Sequence, residues 1–240
     1  MPDQRQTCEF RFHGRLESFI APRRRGVRFT HAFDGSPALK DPVEALGVPH
    51  TEVGEVLLDG TAAALDRRLQ GGERVEVFPV TTAPAGDQPR FVLDVHLGRL
   101  AGYLRLIGID TWYRNDTGDD ELATVSAVQV RTLLSRDIGL LKRSQITSGA
   151  FVYSTDPRAQ LREVIDRFGL QQHLAPFTRC VRCNGRVDPI AAADAEGIVP
   201  PKALRERSGF GRCADCEQVY WRGTHEARLR HRLQEVGVHL

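Results

Sequence analysis

Three apolar runs in this chain finish on an aspartate: Phe91-Val92-Leu93-Asp94, Thr132-Leu133-Leu134-Ser135-Arg136-Asp137 and Phe151-Val152-Tyr153-Ser154-Thr155-Asp156. Carboxylates are hard oxygen ligands, and several converging on one point hold Mg²⁺ or Mn²⁺. Such a cluster resists full ionisation unless a cation neutralises it. Ions held that way can activate water and stabilise the leaving oxygen of a phosphodiester. Asp119, Asp120 and Glu121 add a helix-start group of acids nearby. Arg99, Arg105, Arg136, Lys142 and Arg143 lie close to these acids along the chain and suit phosphate contacts. A plainer account exists for each residue. Asp is a favoured helix N-cap, and basic side chains face solvent or complement helix C-termini. His96 beside Asp94 reads as a locally hydrogen-bonded histidine rather than a catalytic one.

The second chemical motif is Cys180-x-x-Cys183 with Cys213-x-x-Cys216. Each turn lets two thiolates reach one ion, and two such knuckles complete a tetrahedral Zn²⁺ site. Closed four-thiolate sites are structural, so this zinc folds its region rather than doing chemistry. The intervening residues 184–212 exceed the usual spacing, which implies an insertion between ribbon strands. Cys8, the fifth cysteine, reads as a small buried hydrophobe.

The elements that must position these residues fall into three regions. Residues 1–80 read as strand (8–12), strand (27–33), short helix (38–46, interrupted at Pro42), strand (53–58) and strand (75–79), which resembles a ubiquitin-like β-grasp domain. Sulfur carriers of that fold end in a free Gly-Gly. Here Gly71-Gly72 sits inside a turn and the chain continues, so a scaffold or interaction role is expected, with a protein as partner. The segment Gly47-Val48-Pro49-His50-Thr51-Glu52-Val53-Gly54 follows its helix. Residues 81–89 are a linker by composition. In residues 90–178, short apolar strands alternate with helical patterns, as in an α/β fold with a parallel sheet. Ligands of such sheets bind beyond the carboxyl ends of the strands, where the three aspartates would meet. Residues 179–240 hold the cysteines and a basic helix over 226–236.

Composition sets the outer limits. The 240 residues are 41% hydrophobic and carry a formal net charge of +2, so the chain does not announce a nucleic-acid binder by charge. No apolar stretch is long enough to span a membrane, and no apolar signal core opens the chain, so a soluble cytoplasmic protein is expected. Cys-x-x-Cys pairs in that setting bind metal rather than form disulfides. Haloacid-dehalogenase phosphatases need Asp-x-Asp after the first strand, whereas Asp94-Val95-His96 has one acid; response-regulator receivers need paired acids there too.

The run Asp94-Val95-His96-Leu97-Gly98-Arg99-Leu100-Ala101-Gly102-Tyr103-Leu104-Arg105-Leu106-Ile107-Gly108-Ile109-Asp110 resembles the opening of the mutator-seven C-terminal RNase domain family. Leu133 to Arg143 resembles its second signature, with Ser135 where such domains often show Thr, and the cysteine ribbon ending Tyr220-Trp221-Arg222-Gly223-Thr224-His225 resembles its third. The resemblance implies a PIN-like metal-dependent nuclease followed by a zinc ribbon, often preceded by a ubiquitin-like domain. It further implies cleavage of single-stranded RNA with Mg²⁺ or Mn²⁺. Asp94 and Asp137 would then be the firmest metal ligands, Asp120 the favoured helix acid and Asp156 the fourth. The rival is a non-catalytic RNA- or ribosome-binding adaptor in which the acids are caps. Trp221 and Tyr220 suit base stacking, though packing over the zinc knuckle is the stronger expectation.

Overall fold

The computed structural model describes residues 5–83, 86–206 and 209–221, together with residue 234. The basic helix expected over 226–236 and the run Arg222 to His225 lie outside the described residues, residue 234 aside. The chain packs as two compact units, residues 1–83 with 135–151 and residues 84–134 with 152–240.

In the first unit, β1 (Gln6–Phe12) alternates strictly, with Cys8, Phe10 and Phe12 buried and Thr7, Glu9 and Arg11 exposed. That period of two gives the strand one core face. With β2 (Phe29–Phe33), β3 (Val53–Leu58), β4 (Thr61–Ala62) and β5 (Arg74–Pro79) it forms a sheet of order β2-β1-β5-β3-β4. The central pair β1 and β5 is parallel and the other pairs are antiparallel, which is the β-grasp arrangement. Helix α1 (Lys40–Ala45) contributes Val43 to the core with Leu39 and Leu46 from its flanks. Pro42 does not interrupt the helix as the sequence suggested. It occupies the first turn, where its missing N–H has no intrahelical partner to lose.

Gly71 and Gly72 take φ of +94° and +88° in the turn before β5, and the Gly72 N–H donates to the Thr7 carbonyl at 2.7 Å. Glu73 accepts from the Gln70 and Gly71 N–H groups at 2.6 and 2.7 Å and from the Cys8 thiol at 3.0 Å. Burial, reinforced by Glu73, pushes the Cys8 thiol up to about 12. It is inert at neutral pH.

The second unit is built on β6 (Arg90–Leu93), β7 (Asp110–Trp112) and β8 (Thr132–Ser135). Both neighbours pair parallel with β6, in the register Phe91↔Thr111 and Phe91↔Thr132. Phe91, Val92, Leu93, Leu133 and Leu134 are fully buried. Helices α2 (Gly98–Leu106) and α3 (Asp119–Val128) follow β6 and β7. Next come α4 (Ile138–Leu141) and β9 (Gly149–Phe151), both in the first unit, and then α5 (Pro157–Phe168), back in the second. Phe168 of α5 meets Phe91 edge-on, with ring centroids 5.1 Å apart.

The third apolar run departs from expectation. Its strand is Gly149–Phe151, and Val152 to Asp156 is irregular. The Tyr153 and Ser154 N–H groups donate to the Glu163 carboxylate at 2.8 and 3.0 Å, a partner in α5 rather than in a sheet. Asp156 therefore opens a helix and does not end a strand.

The ribbon is a three-stranded antiparallel sheet of β10 (Val187–Ile190), β11 (Phe210–Cys213) and β12 (Val219–Trp221). Helix α6 (Pro201–Glu206) lies in the insertion foreseen between the cysteine pairs. No helix among the described residues is long and apolar enough to cross a membrane.

Gly108 ends α2 at φ +91°, and a Cβ there would collide with the Ala175 carbonyl and lie 2.9 Å from the Thr178 hydroxyl. Gly108→Ala is expected to destabilise the second unit by at least about 2 kcal/mol, a left-handed strain compounded by the clash, read as a lowered unfolding midpoint in denaturant.

Candidate functional site

Each cysteine pair forms the same turn. Asn184 and Glu217, the residues after Cys183 and Cys216, take left-handed φ of 74° and 60°. Their N–H groups donate back to the Cys180 and Cys213 carbonyls at 2.8 and 3.1 Å. The Cys180 and Cys213 N–H groups in turn donate to Gly185 and Gln218 at 2.8 and 3.0 Å. The four sulfurs lie within 4.8 Å of one another, with Cys180–Cys216 at 3.6 Å and Cys183–Cys213 at 3.4 Å. Four Zn–S bonds of about 2.3 Å at tetrahedral angles place sulfurs about 3.8 Å apart, so the residues present fit the ion. The Tyr220 hydroxyl approaches Cys180 Sγ at 3.0 Å. Desolvation raises the Cys180 thiol, but Tyr220 and the Arg182 and Cys183 N–H groups outweigh it and hold the thiol down at about 6. Tyr220 thus packs over the knuckle as expected, while Trp221 is 41% exposed.

Two residues tie the first knuckle to the parallel sheet. Asn184 accepts from the Thr111 N–H at 2.9 Å and donates to Asp110 Oδ1 at 2.8 Å. Asp110 also receives Arg131 at 2.7 Å and faces Arg179 and Arg90 at 3.5 and 3.6 Å. Burial alone would raise the Asp110 carboxyl. The Arg131 and Asn184 hydrogen bonds, with the Arg131 and Arg179 charges, hold it below its ordinary value. Arg105 is 5% exposed and donates to the carbonyls of Thr111 (2.9 Å), Val181 and Arg182 (3.1 Å each) and Tyr113 (3.3 Å). A zinc with four thiolates carries a formal charge of about −2, which a buried guanidinium beside the knuckle complements. Arg105 is therefore a clamp for the ribbon, not the phosphate contact drawn from its place in the sequence.

The acids are placed as follows. Asp94 is 3% exposed at the carboxyl end of the inner strand β6. Its N–H extends the ladder to Leu134 at 3.1 Å, and Oδ1 accepts from His96 N–H at 2.8 Å. Tyr113 stands over this turn, donating to the Val95 carbonyl at 3.1 Å, and leaves no room for a side chain at Gly98. Asp137 is exposed at the start of α4, with Oδ1 accepting from Leu140 N–H at 3.1 Å. Its own N–H donates to Ser135 Oγ at 2.8 Å, a role that needs only the hydroxyl Ser shares with Thr. Asp156 caps α5 through the Arg158 and Ala159 N–H groups at 3.0 and 2.9 Å. Asp119, Asp120 and Glu121 occupy the first turn of α3, where Glu121 pairs with Arg114 at 3.1 Å. All three strand-associated aspartates thus serve as caps. Among the described residues the four cysteines are the one group of three or more His, Cys, Asp or Glu ligand atoms within 4.8 Å of one another.

Of the other basic residues, Arg99 is exposed on α2. Arg136 lies 5.7 Å over the Phe151 ring, and Lys142 Nζ donates to the Glu44 carbonyl at 2.6 Å, a structural contact rather than a phosphate site. Arg143 is half-buried at the end of α4. Arg99, Tyr103, Phe177, Val181, Tyr220 and Trp221 line a largely apolar cavity of about 840 Å³. Sequence reasoning missed Asp110 and Asn184. Asp110 was visible only as the last residue of the first signature run, and its partners are 21 and 74 positions away.

A family model described as the Mut7-C RNAse domain matches residues 89–233, more than half of the chain. A second, described as Mut7-C ubiquitin, matches residues 5–84. A crystal structure of SAMP1 from Haloferax volcanii is 22% identical over 30% of this chain and 93% of its own, with a TM-score of 0.25. No curated protein matches the chain.

Two outcomes follow from this geometry. The Asp110 carboxylate contributes stability that is complete above the ordinary carboxylate range, near pH 4, and is lost as pH falls through its depressed value. Asp110→Asn is expected to cost about 2 kcal/mol at neutral pH and to flatten the acid limb of a stability–pH curve. At Gly185 a Cβ would collide with the Asp215 carboxylate and sit 2.8 Å from Cys213 Sγ. Gly185→Ala is expected to lower zinc retention against a chelator at least about tenfold, measured by metal release.

Proposed function

The chain belongs to the Mut7-C RNAse domain family, and on that footing we propose that it hydrolyses RNA phosphodiester bonds through carboxylate-held Mg²⁺ or Mn²⁺. The observation that carries the reading is the placement of Asp94. A carboxylate 3% exposed, at the carboxyl end of an inner strand with parallel neighbours, sits where such sheets bind ligands. The chain leaves the neighbouring β8 at the same edge and reaches Asp137 two residues after Ser135. Asp94, Asp120 and Asp137 are the proposed ligands for the ion, and Asp156 is the fourth acid. A carboxylate has two oxygens, and Asp94 and Asp137 each accept their cap through Oδ1, so capping and ion binding are compatible at one residue. When bound, the ion would lower the pKa of attacking water and neutralise the leaving oxygen. The protein's own side chains fix the carboxylates: Ser135 holds the Asp137 backbone, and Tyr113 holds the turn after Asp94.

Single-stranded RNA is the proposed substrate. Arg99 and Arg136 are the phosphate contacts retained, with Arg143. The cavity holding Tyr103, Phe177 and the exposed Trp221 offers aromatic faces for unpaired bases. The zinc ribbon is the proposed structural element behind that surface. The rival reading, a non-catalytic RNA- or ribosome-binding adaptor, takes the same three aspartates as helix caps alone.

Cleavage of labelled single-stranded RNA with Mn²⁺ separates the two. Asp94→Asn and Asp137→Asn should each lose at least about 100-fold in rate, with zinc content and unfolding midpoint retained. RNA binding without metal-dependent cleavage by the unaltered protein would establish the adaptor.

A further inference from the structure

The compact unit that contains the β-grasp domain also contains Ser135–Phe151, the stretch that carries Asp137. Three polar groups of the β-grasp domain reach this stretch. Glu52 is fully buried, and its Oε1 accepts from the Phe151 N–H at 2.7 Å. His50 presents Nε2 to the Ile146 carbonyl at 2.8 Å and Nδ1 to Glu44 Oε1 at 2.6 Å. The Glu44 carbonyl receives Lys142 Nζ at 2.6 Å. Both ring nitrogens of His50 face acceptors, so the arrangement is complete when both carry hydrogen.

These contacts grip the stretch at residues 142, 146 and 151, which brackets the loop behind α4. Apolar contacts fill the space between them. Phe19 meets Phe151 edge-on at 5.1 Å, and a Cβ at Gly149 would lie 2.9 Å from Leu141 and 3.2 Å from Thr51. Apolar packing alone would suffice to attach a domain. Burying a carboxylate entirely is costly unless its hydrogen bonds are made. Glu52 makes one to the backbone of β9 and has Arg15 Nε 3.7 Å away, while Arg15 also donates to the Val80 carbonyl. Such groups fix position and direction, which non-directional packing does not.

We propose that the β-grasp domain acts in cis as the platform that holds the Asp137 segment in register, with Glu44, His50 and Glu52 as positioning residues. The assignment of Asp137 to a metal rests on the function proposed above; the holding of the segment does not. In this role the segment Pro49-His50-Thr51-Glu52 is engaged by its own chain.

The test uses the full zinc-loaded chain with Glu52→Ala, Glu52→Gln and His50→Ala. Amide exchange over residues 137–151 is read by mass spectrometry, and Mn²⁺-dependent cleavage is read as kcat and KM separately. Glu52→Ala should speed exchange of the 144–151 peptide at least about tenfold while β1 and β5 peptides stay protected. It should lower kcat about tenfold with KM for RNA changed less than about twofold. Glu52→Gln keeps an acceptor for the Phe151 N–H and should restore both. If Glu52→Ala fails to fold, His50→Ala carries the comparison through the peptide around Ile146. Exchange over 137–151 equal to the unaltered protein in the folded variants overturns the proposal. Absence of cleavage by the unaltered protein overturns the nuclease reading alone, and the exchange pattern still decides the platform.

Discussion

A short strand covered on both faces admits no charge until it ends, and that constraint organises the α/β unit. Phe91, Val92 and Leu93 are fully buried between parallel neighbours, so the first carboxylate after them, Asp94, falls at the carboxyl end of the strand. The same residue must then start the next helical turn, which makes it both the edge group and the cap. Helix α2 follows because the turn is closed by Tyr113 over Gly98, where no larger residue fits. Capping and metal binding therefore draw on one placement.

The ribbon depends on a different device. A small region with Ala195, Val199, Phe210 and Val219 as its buried apolar cluster has too little apolar surface to fold by burial alone. Four cysteines in two matched left-handed turns supply what the core lacks. Asn184 and Arg105 then fasten the first knuckle to β7 and its approaches, and Asp110 sits at the centre of that polar junction with Arg131 and Arg179. Buried charges of this kind fix a unique docking of ribbon on sheet, because each has a directional partner.

In the N-terminal unit the alternation of β1 and the Gly71-Gly72 turn build a β-grasp core in the ordinary way. What differs is the use of its post-helix motif. His50 and Glu52 turn their polar atoms toward residues 142–151 instead of toward solvent, so the packing boundary does not follow the boundary of the two matched family regions.

By itself the sequence determined the features governed by local spacing. The period of two in β1, the paired Cys-x-x-Cys turns, the apolar runs of β6 and β8 and the helix starts at Asp119 and Pro157 each depend on residues a few positions apart. The three signature runs were legible for the same reason. Tertiary structure alone decided the jobs of long polar side chains, whose partners are chosen by packing and not by distance along the chain. Arg105 and Lys142 read as phosphate contacts but bind carbonyls 76 and 98 positions away. Phe151 to Asp156 read as the end of a strand, yet the Tyr153 and Ser154 amides are taken by Glu163 in the following helix. Glu52 read as part of a motif without a partner until the fold brought the Phe151 N–H to it. A hydrogen bond to a buried group is settled last, once the apolar residues have fixed which backbone atoms are left inside.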